Sequence, residues 1–289
     1  MFYIATVRHG IVLFTSDRGI TPAAAALAAE ERGFETFYVP EHTHIPVRRE
    51  ALHPTGGEQL PDDRYSRTLD PWVSLATAAA VTERIRLATA VALPVESDPI
   101  TLAKTIASLD HLSGGRVTLG AGFGWNTDEL GDHHVPAGKR RTVLREYVEA
   151  MRSLWADDEA SYAGEHVAFG PSWAWPKPVQ DRVPVVIGAG GGPRTFRWIA
   201  ETADGWMTTP TEQDITAKCD DLRKAWADAG RPGEPQVHVL VASRPGPDDL
   251  RLWADAGATD VIWGLPDKRE PEVLAYLDRH AERLGLTHG

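Results

Sequence analysis

Four glycines crowd into five positions, Gly188, Gly190, Gly191 and Gly192, between the apolar run 183–187 and the segment Pro193-Arg194-Thr195-Phe196. Glycine lets backbone N–H groups approach a ligand without Cβ interference, and a helix opening on proline adds the positive end of its dipole. That combination suits a phosphate, whereas a merely tight strand-to-helix turn needs only one or two glycines. A second stretch, Gly120-Ala121-Gly122-Phe123-Gly124-Trp125, sets approachable backbone beside aromatic walls, as a planar ligand requires. Together the two stretches imply a phosphorylated aromatic cofactor.

The segment Pro40-Glu41-His42-Thr43-His44 adds groups that titrate near neutrality. His42 and His44 have the spacing of a His-x-His metal pair, but a barrel hydrolase needs further His or Asp ligands at later strand ends. The fifth and sixth candidate strands end on glycine, alanine and threonine, so no metal is expected. His42 is the better candidate for a hydrogen bond or proton transfer to a bound ring. The alternative is a loop histidine satisfied by Glu41 or by backbone.

The elements that position these residues alternate regularly. Candidate strands lie at 10–14, 36–39, 85–93, 116–120, 183–188, 205–209, 237–242 and 260–263, and candidate helices at 21–32, 71–82, 100–112, 139–155, 193–202, 215–229, 247–256 and 271–284. Thr21-Pro22, Asp70-Pro71 and Asp98-Pro99 read as N-caps followed by proline, and Gly33, Gly230 and Gly257 as helix ends. In the fourth helix Val143, Leu144, Tyr147, Met151, Leu154 and Trp155 form one stripe, with Arg145, Glu146, Glu149 and Arg152 expected to face away. Eight strand–helix units predict a closed (β/α)8 barrel, α/β in class, as one domain over 1–289. An open doubly wound sheet would put its dinucleotide glycines after the first strand in a Gly-x-Gly-x-x-Gly pattern, which neither glycine stretch follows. Functional residues then gather at the strand C-termini, where the segments after strands two to five share one mouth. Residues 43–69 and 157–182 form extended connections after strands 2 and 4, expected as lids or binding segments, or else as packing or dimer-contact insertions.

The chain has 289 residues, 42% hydrophobic and 25% charged, enough for a large core. A formal net charge of −11 argues against a nucleic-acid or anionic-membrane surface, so an anionic ligand must be held locally. The single cysteine, Cys219, cannot form an internal disulfide and reads as packing beside Leu222 and Trp226. With no basic leader and no run of eighteen apolar residues, a cytoplasmic protein is expected.

Several stretches in order resemble the luciferase-like (bacterial luciferase) superfamily, specifically its F420-dependent oxidoreductases. They are 33–42, 103–116, 119–125, 162–164, Trp175-Pro176-Lys177-Pro178-Val179-Gln180, and 187–206. The resemblance implies F420, or alternatively FMN, at the strand C-termini with its phosphate on the fifth-strand turn. The matching cofactor positions are Ala90, Val91, Phe123, Gly124, Gly188, Ala189, Gly190, Gly191, Arg194 and Thr195. It also implies a bulged third strand, often with a cis non-proline peptide, here Ala90–Val91. His42 matches the active-site histidine, and His44 and Trp125 fall on the substrate side. The glucose-6-phosphate dehydrogenase branch carries glutamate in place of Trp125, so an apolar or aromatic substrate fits better than a sugar phosphate. The implied reaction is hydride transfer between the deazaflavin C5 and an unsaturated carbon, carbonyl or alcohol, in either direction. The basic runs Lys139-Arg140-Arg141 and Arg48-Arg49 are candidates for an anionic cofactor tail. A homodimer is implied. The nearest alternative is an FMN monooxygenase fed by a partner reductase; a metal-dependent hydrolase and a non-catalytic flavin-binding protein are more distant ones.

Overall fold

A computed structural model describes residues 7–54, 59–208, 214–241 and 245–286. Gly56, Gly57, Thr209 and Ala242, all part of the segments discussed above, lie outside the described residues. The strands are β1 (Arg8–Val12), β2 (Thr36–Val39), β3 (Arg86–Thr89), β4 (Val117–Ala121), β5 (Ala160–Ala163), β6 (Ala168–Ser172), β7 (Val185–Gly188), β8 (Gly205–Met207), β9 (Gln236–Leu240) and β10 (Asp260–Gly264). The helices are α1 (Pro22–Glu31), α2 (Pro71–Ala79), α3 (Pro99–Ser113), α4 (Thr127–Asp132), α5 (Arg140–Ala156), α6 (Pro193–Thr202), α7 (Ile215–Asp228), α8 (Pro247–Asp255) and α9 (Glu270–Leu284). Eight strands close into a parallel barrel in the order β1-β10-β9-β8-β7-β4-β3-β2, and β1 pairs with both β10 and β2.

Period-two alternation fills both sides of the barrel wall. Tyr38, Ala88, Val186, Met207 and Ile262 pack inside it, while Phe37, Leu87, Leu119 and Ile187 join the core beneath the helices. The caps follow the sequence: Thr21 accepts from Ala24 N, Asp70 from Val73 N and Asp98 from Thr101 N. Cys219 is buried with Leu222 and Trp226 on α7.

Two departures from the periodicity have local causes. The third strand ends as a ladder at Thr89, because the cis peptide Ala90–Val91 bends the chain. Ala90 N donates to Val39 O (2.9 Å), Glu41 N to Val91 O (3.1 Å) and Ala92 N to Gly120 O (2.8 Å), so the bulge is tied to both neighbouring strands. Gly120 is required where β4 passes β3, since a Cβ there would stand 1.9 Å from Thr89 O. Residues 157–182 carry the antiparallel hairpin β5–β6 rather than an irregular loop, and none of them lines the cavity described below. The hairpin lies on α5 and covers a face that the helical pattern leaves to solvent. Glu146, expected outside, is buried and accepts from His166 N at 2.7 Å, and Tyr162 donates to Glu149 at 2.5 Å. Arg152 reaches Asp204 at 2.7 Å.

Candidate functional site

A cavity of about 500 Å³ opens at the C-terminal ends of the strands. Of the sequence-predicted positions, it is lined by His42, Ala90, Val91, Phe123, Gly124, Trp125, Gly188, Ala189 and Gly190. Gly191, on the turn from β7 into α6, Arg194 and Thr195, in the first turn of α6, and His44 are not among the lining residues. The remaining lining residues include Phe14, Pro40, Glu41, His53, Tyr65, Leu93, Arg140, Met207, Thr208 and Leu240.

The floor is Val91, whose side chain occupies space left by two glycines. A Cβ on Gly188 would fall 2.5 Å from Val91 Cγ1, and one on Gly122 would fall 2.6 Å from Val91 Cγ2. These two glycines therefore serve the bulge as well as any ligand, a packing role that the glycine pattern alone does not reveal. The turn that follows is clamped: Trp206 Nε1 donates to Ala189 O at 2.7 Å and Lys218 Nζ to Gly191 O at 3.0 Å. A Cβ on Gly191 would meet Phe196, Lys218 and Trp206.

Around the turn, donors and positive charge converge. The first helical bond of α6 runs from Phe196 N to Gly192 O, so the N–H groups of Arg194 and Thr195 precede the helix ladder. Arg141 donates to Thr195 Oγ1 at 3.1 Å, and its guanidinium lies 4.6 Å from the Phe123 ring centroid, with that of Arg140 at 5.3 Å. Burial, with the neighbouring charges of Arg194 and Arg140, pulls the Arg141 pKa down. Among the described residues none of these three arginines has a carboxylate partner. A bound anion would relieve that repulsion, and the helix start supplies further donors for it. A phosphorylated planar group fits these features: the apolar Ala90–Val91 shelf, the Gly188–Gly190 backbone and a basic rim.

His42 stands at the end of β2 with its side chain only 7% exposed. Its Nδ1–H donates to Glu129 Oε2 at 2.8 Å, and Glu129 Oε1 accepts from Thr43 N at 3.0 Å. A carboxylate at Nδ1 fixes the tautomer and leaves Nε2 for whatever enters the cavity. Glu41 is not the partner of His42: it turns inward and accepts from Leu93 N at 2.6 Å. Burial, together with the negative charges of Asp70 and Glu129, lifts its carboxyl to about 7. Glu96, on the turn after the bulge, accepts from Thr43 Oγ1 at 3.1 Å, and burial beside Glu129 pushes its pKa far up.

An aromatic wall faces His42. Tyr65 and Trp125 lie 5.4 and 5.8 Å from its ring, and His53 packs edge-on against both, with Nε2 2.8 Å from Tyr65 OH. His44 turns the other way and reaches Asp132 Oδ2 at 2.9 Å, so the two histidines of the His-x-His pair do not converge. Among the described residues no group of three or more His, Cys, Asp or Glu side chains is arranged to hold a metal ion.

The profile of the luciferase-like monooxygenase family matches residues 21–288. The chain belongs to that family. The Mycobacterium tuberculosis protein Rv0953c, itself uncharacterised, is 64% identical over 279 residues, which cover 96% of this chain and 99% of that one. An F420-dependent glucose-6-phosphate dehydrogenase from Nakamurella multipartita is 30% identical over 190 residues, 65% of this chain and 51% of that one. The crystal structure of monooxygenase RslO1 from Streptomyces bottropensis has the same fold, with a TM-score of 0.75 at 23% identity over 96% of this chain and 98% of that one. By name, the relatives of this chain include both F420-dependent and FMNH2-dependent enzymes.

Sequence reasoning missed Glu129, Glu96, His53 and Tyr65 as members of the site. Glu129 was discoverable in part. It follows the β4 glycine stretch on the mouth side of the barrel, one position before the buried Leu130, where an acidic side chain stays buried only if it is partnered.

Proposed function

We propose that this luciferase-like enzyme is an F420-dependent oxidoreductase that transfers hydride between the cofactor and a small, uncharged organic substrate, an unsaturated carbon or a carbonyl/alcohol pair. The observation that carries the reading is the placement of His42. It lines the same cavity as the Val91 shelf and the Gly188–Gly190 turn, with Nδ1 held by Glu129 and Nε2 left for substrate. F420, when bound, supplies or accepts the hydride at C5. The chain's own residues do the rest. Ala90, Val91, Phe123 and Gly124 hold a ring, and Gly188, Ala189, Gly190, Gly191, Arg194 and Thr195, with Arg140 and Arg141, receive the anionic part. His42 gives or takes the proton at the substrate oxygen or carbon.

Phe14, Tyr65, His53 and Trp125 surround the remaining volume, which supports an apolar or aromatic substrate over a phosphorylated one. The same reading takes the enzyme to be a cytoplasmic homodimer without nucleic-acid or membrane partners. The net charge of −11 supports the absence of a nucleic-acid or anionic-membrane surface; among the described residues no helix is long and apolar enough to cross a membrane. The family's name keeps one competing reading, an FMN monooxygenase supplied by a reductase. The test is turnover: reduced F420 is mixed anaerobically with a panel of small ketones, aldehydes and enones, and reoxidation is followed by absorbance. Substrate-dependent reoxidation without oxygen supports the proposal. Oxygen-dependent product formation with reduced FMN alone would replace it.

A further inference from the structure

Behind His42 three glutamates, Glu41, Glu96 and Glu129, are all buried within one small region; Glu129 faces the His42 ring at 2.8 Å, and Glu96 lies 3.9 Å from His133 Nε2. Glu129 comes from α4, Glu96 from the turn after the third-strand bulge, and Glu41 from the end of β2. Glu129 has one donor on each oxygen, His42 Nδ1–H on Oε2 and Thr43 N–H on Oε1, and a lone pair on each remains free to accept. Glu96 Oε2 receives the Thr43 hydroxyl at 3.1 Å, whereas its Oε1 is buried without any donor. An ionised carboxylate leaves no buried oxygen bare at so little cost, and two carboxylates cannot both stay ionised at contact. Thr43 holds both side chains, Glu129 through its backbone N–H and Glu96 through its hydroxyl, and the missing partner is supplied if Oε1 carries a proton and donates it to Glu129.

We infer that Glu96 and Glu129 hold one proton between them, and that this carboxyl–carboxylate pair is the positioning device that fixes the His42 ring with Nδ1–H toward Glu129 and Nε2 toward the cavity. The inference deepens the role given to His42 above and rests on it only for its catalytic meaning, not for its geometry. Neutral Glu96 donates a hydrogen bond without adding a second negative charge, so His42 faces one net charge rather than two. Burial and the adjacent Glu129 charge favour that neutral form. The other charged or titratable groups around the cluster are Glu41 and Asp70, His44, His53 and Arg49 from the long loop after β2, and Asp132, His133 and His134 at the C-terminal end of α4. The Thr43 hydroxyl meets Glu96 Oε2 at 3.1 Å, His133 Nε2 at 2.7 Å and His44 Nδ1 at 3.1 Å, and His133 Nε2 also lies 3.9 Å from Glu96 Oε2. The pair is therefore linked through this hydroxyl to two partly exposed histidines, a route by which its proton can exchange with solvent.

The two glutamates consequently have opposite signatures. Glu129→Gln removes the charge at Nδ1, whereas the Glu96→Gln amide still donates to Glu129 as the neutral acid does. The experiment is long-range ¹H–¹⁵N NMR of the histidine rings in the cofactor-free protein across a pH titration, with His42 assigned by its disappearance in His42→Gln. Wild type is expected to show His42 as the Nδ1–H tautomer. Glu129→Gln is expected to lower its titration midpoint by about one unit or more, the effect of removing an opposite charge at contact distance. Glu96→Gln is expected to keep the tautomer and to move the midpoint far less. Equal shifts in both variants, or none in Glu129→Gln, would overturn the inference. Should Glu129→Gln not fold, infrared spectroscopy decides with the other variant: a buried carboxylic-acid carbonyl band present at neutral pH in wild type and absent in Glu96→Gln supports the shared proton, and an unchanged spectrum refutes it. None of these readouts needs turnover, so a fully active His42→Ala enzyme alongside the expected spectra of the other variants would refute the proposed reaction alone, and a slowed His42→Ala enzyme without those spectra would refute this inference alone.

Discussion

Gly188→Ala is expected to damage stability and cofactor binding together, and the structure shows why. The new methyl would stand 2.5 Å from Val91 Cγ1, where carbon atoms normally keep about 3.5–4.0 Å. One of the two must therefore move by roughly 1 Å or more. Val91 has little room to yield, because its other methyl already occupies the place that a Cβ on Gly122 would take, at 2.6 Å. Overpacking of this kind costs about 1–3 kcal/mol, and the displaced valine would enter the floor on which a cofactor ring would rest. Thermal denaturation and a fluorescence titration with F420 measure the two effects. The decisive variant is Gly188→Ala combined with Val91→Ala, since removal of the valine methyls opens the space that the new one needs. The double mutant is expected to recover stability relative to Gly188→Ala, with a coupling of about 1 kcal/mol or more, as residues in contact show. A Gly188→Ala protein with unchanged melting and affinity, or strictly additive losses in the double mutant, would refute the packing argument.

Four further outcomes follow from the site. His42→Ala should slow turnover by about 10²–10⁴-fold, the usual worth of a positioned proton-transfer group, while cofactor affinity changes little; equal losses in both would make His42 a binding residue. Gly190→Val, which adds a branched side chain on the cavity rim, should weaken cofactor binding in a folded protein, and unchanged affinity would move the phosphate elsewhere. Arg141→Ala removes a charge-assisted contact of about 1.5–3 kcal/mol, or roughly ten- to a hundredfold in Kd; an affinity independent of both Arg141 and salt would exclude the basic rim. Glu41 gives a pH test. Its carboxyl rises from 4.5 unfolded to about 7 when buried, so its contribution to stability is complete below the lower value and is lost as pH climbs through the higher one. The Tm of Glu41→Gln relative to wild type should therefore increase with pH across that window, and an offset independent of pH would contradict it.

The barrel was legible because short apolar runs alternate with segments of helical length and several helix starts carry a cap and a proline. The strands β2 and β7 and the helix α6 fall on or within two residues of the segments that periodicity marks out. The hairpin β5–β6 was not legible, since its strands of four and five residues carry Gly170 and Pro171 and are mostly exposed, leaving no alternation to read. Its consequence on α5 was hidden too: Glu146 looks like a solvated position until a separate segment folds over it. In the site, the glycines and His42 announce themselves by type and spacing. Glu129 does not, because its pairing with His42 spans 87 positions, and only the closure of the barrel brings the loops after β2 and β4 together. Glu96 is more obscure still, as nothing local tells a buried neutral acid from a surface one. Gly122 and Gly188 show the reverse limit: their absence of side chains was read as room for a ligand, and Val91 fills part of that room.

The measurement that bears most directly on the central proposal is a parallel fluorescence titration of the purified protein with F420 and with FMN at matched ionic strength. Tight, saturable binding of F420 with much weaker binding of FMN is the predicted result. The reverse preference would transfer the enzyme to flavin monooxygenase chemistry, and binding of neither would contradict the assignment of the cavity as a deazaflavin site.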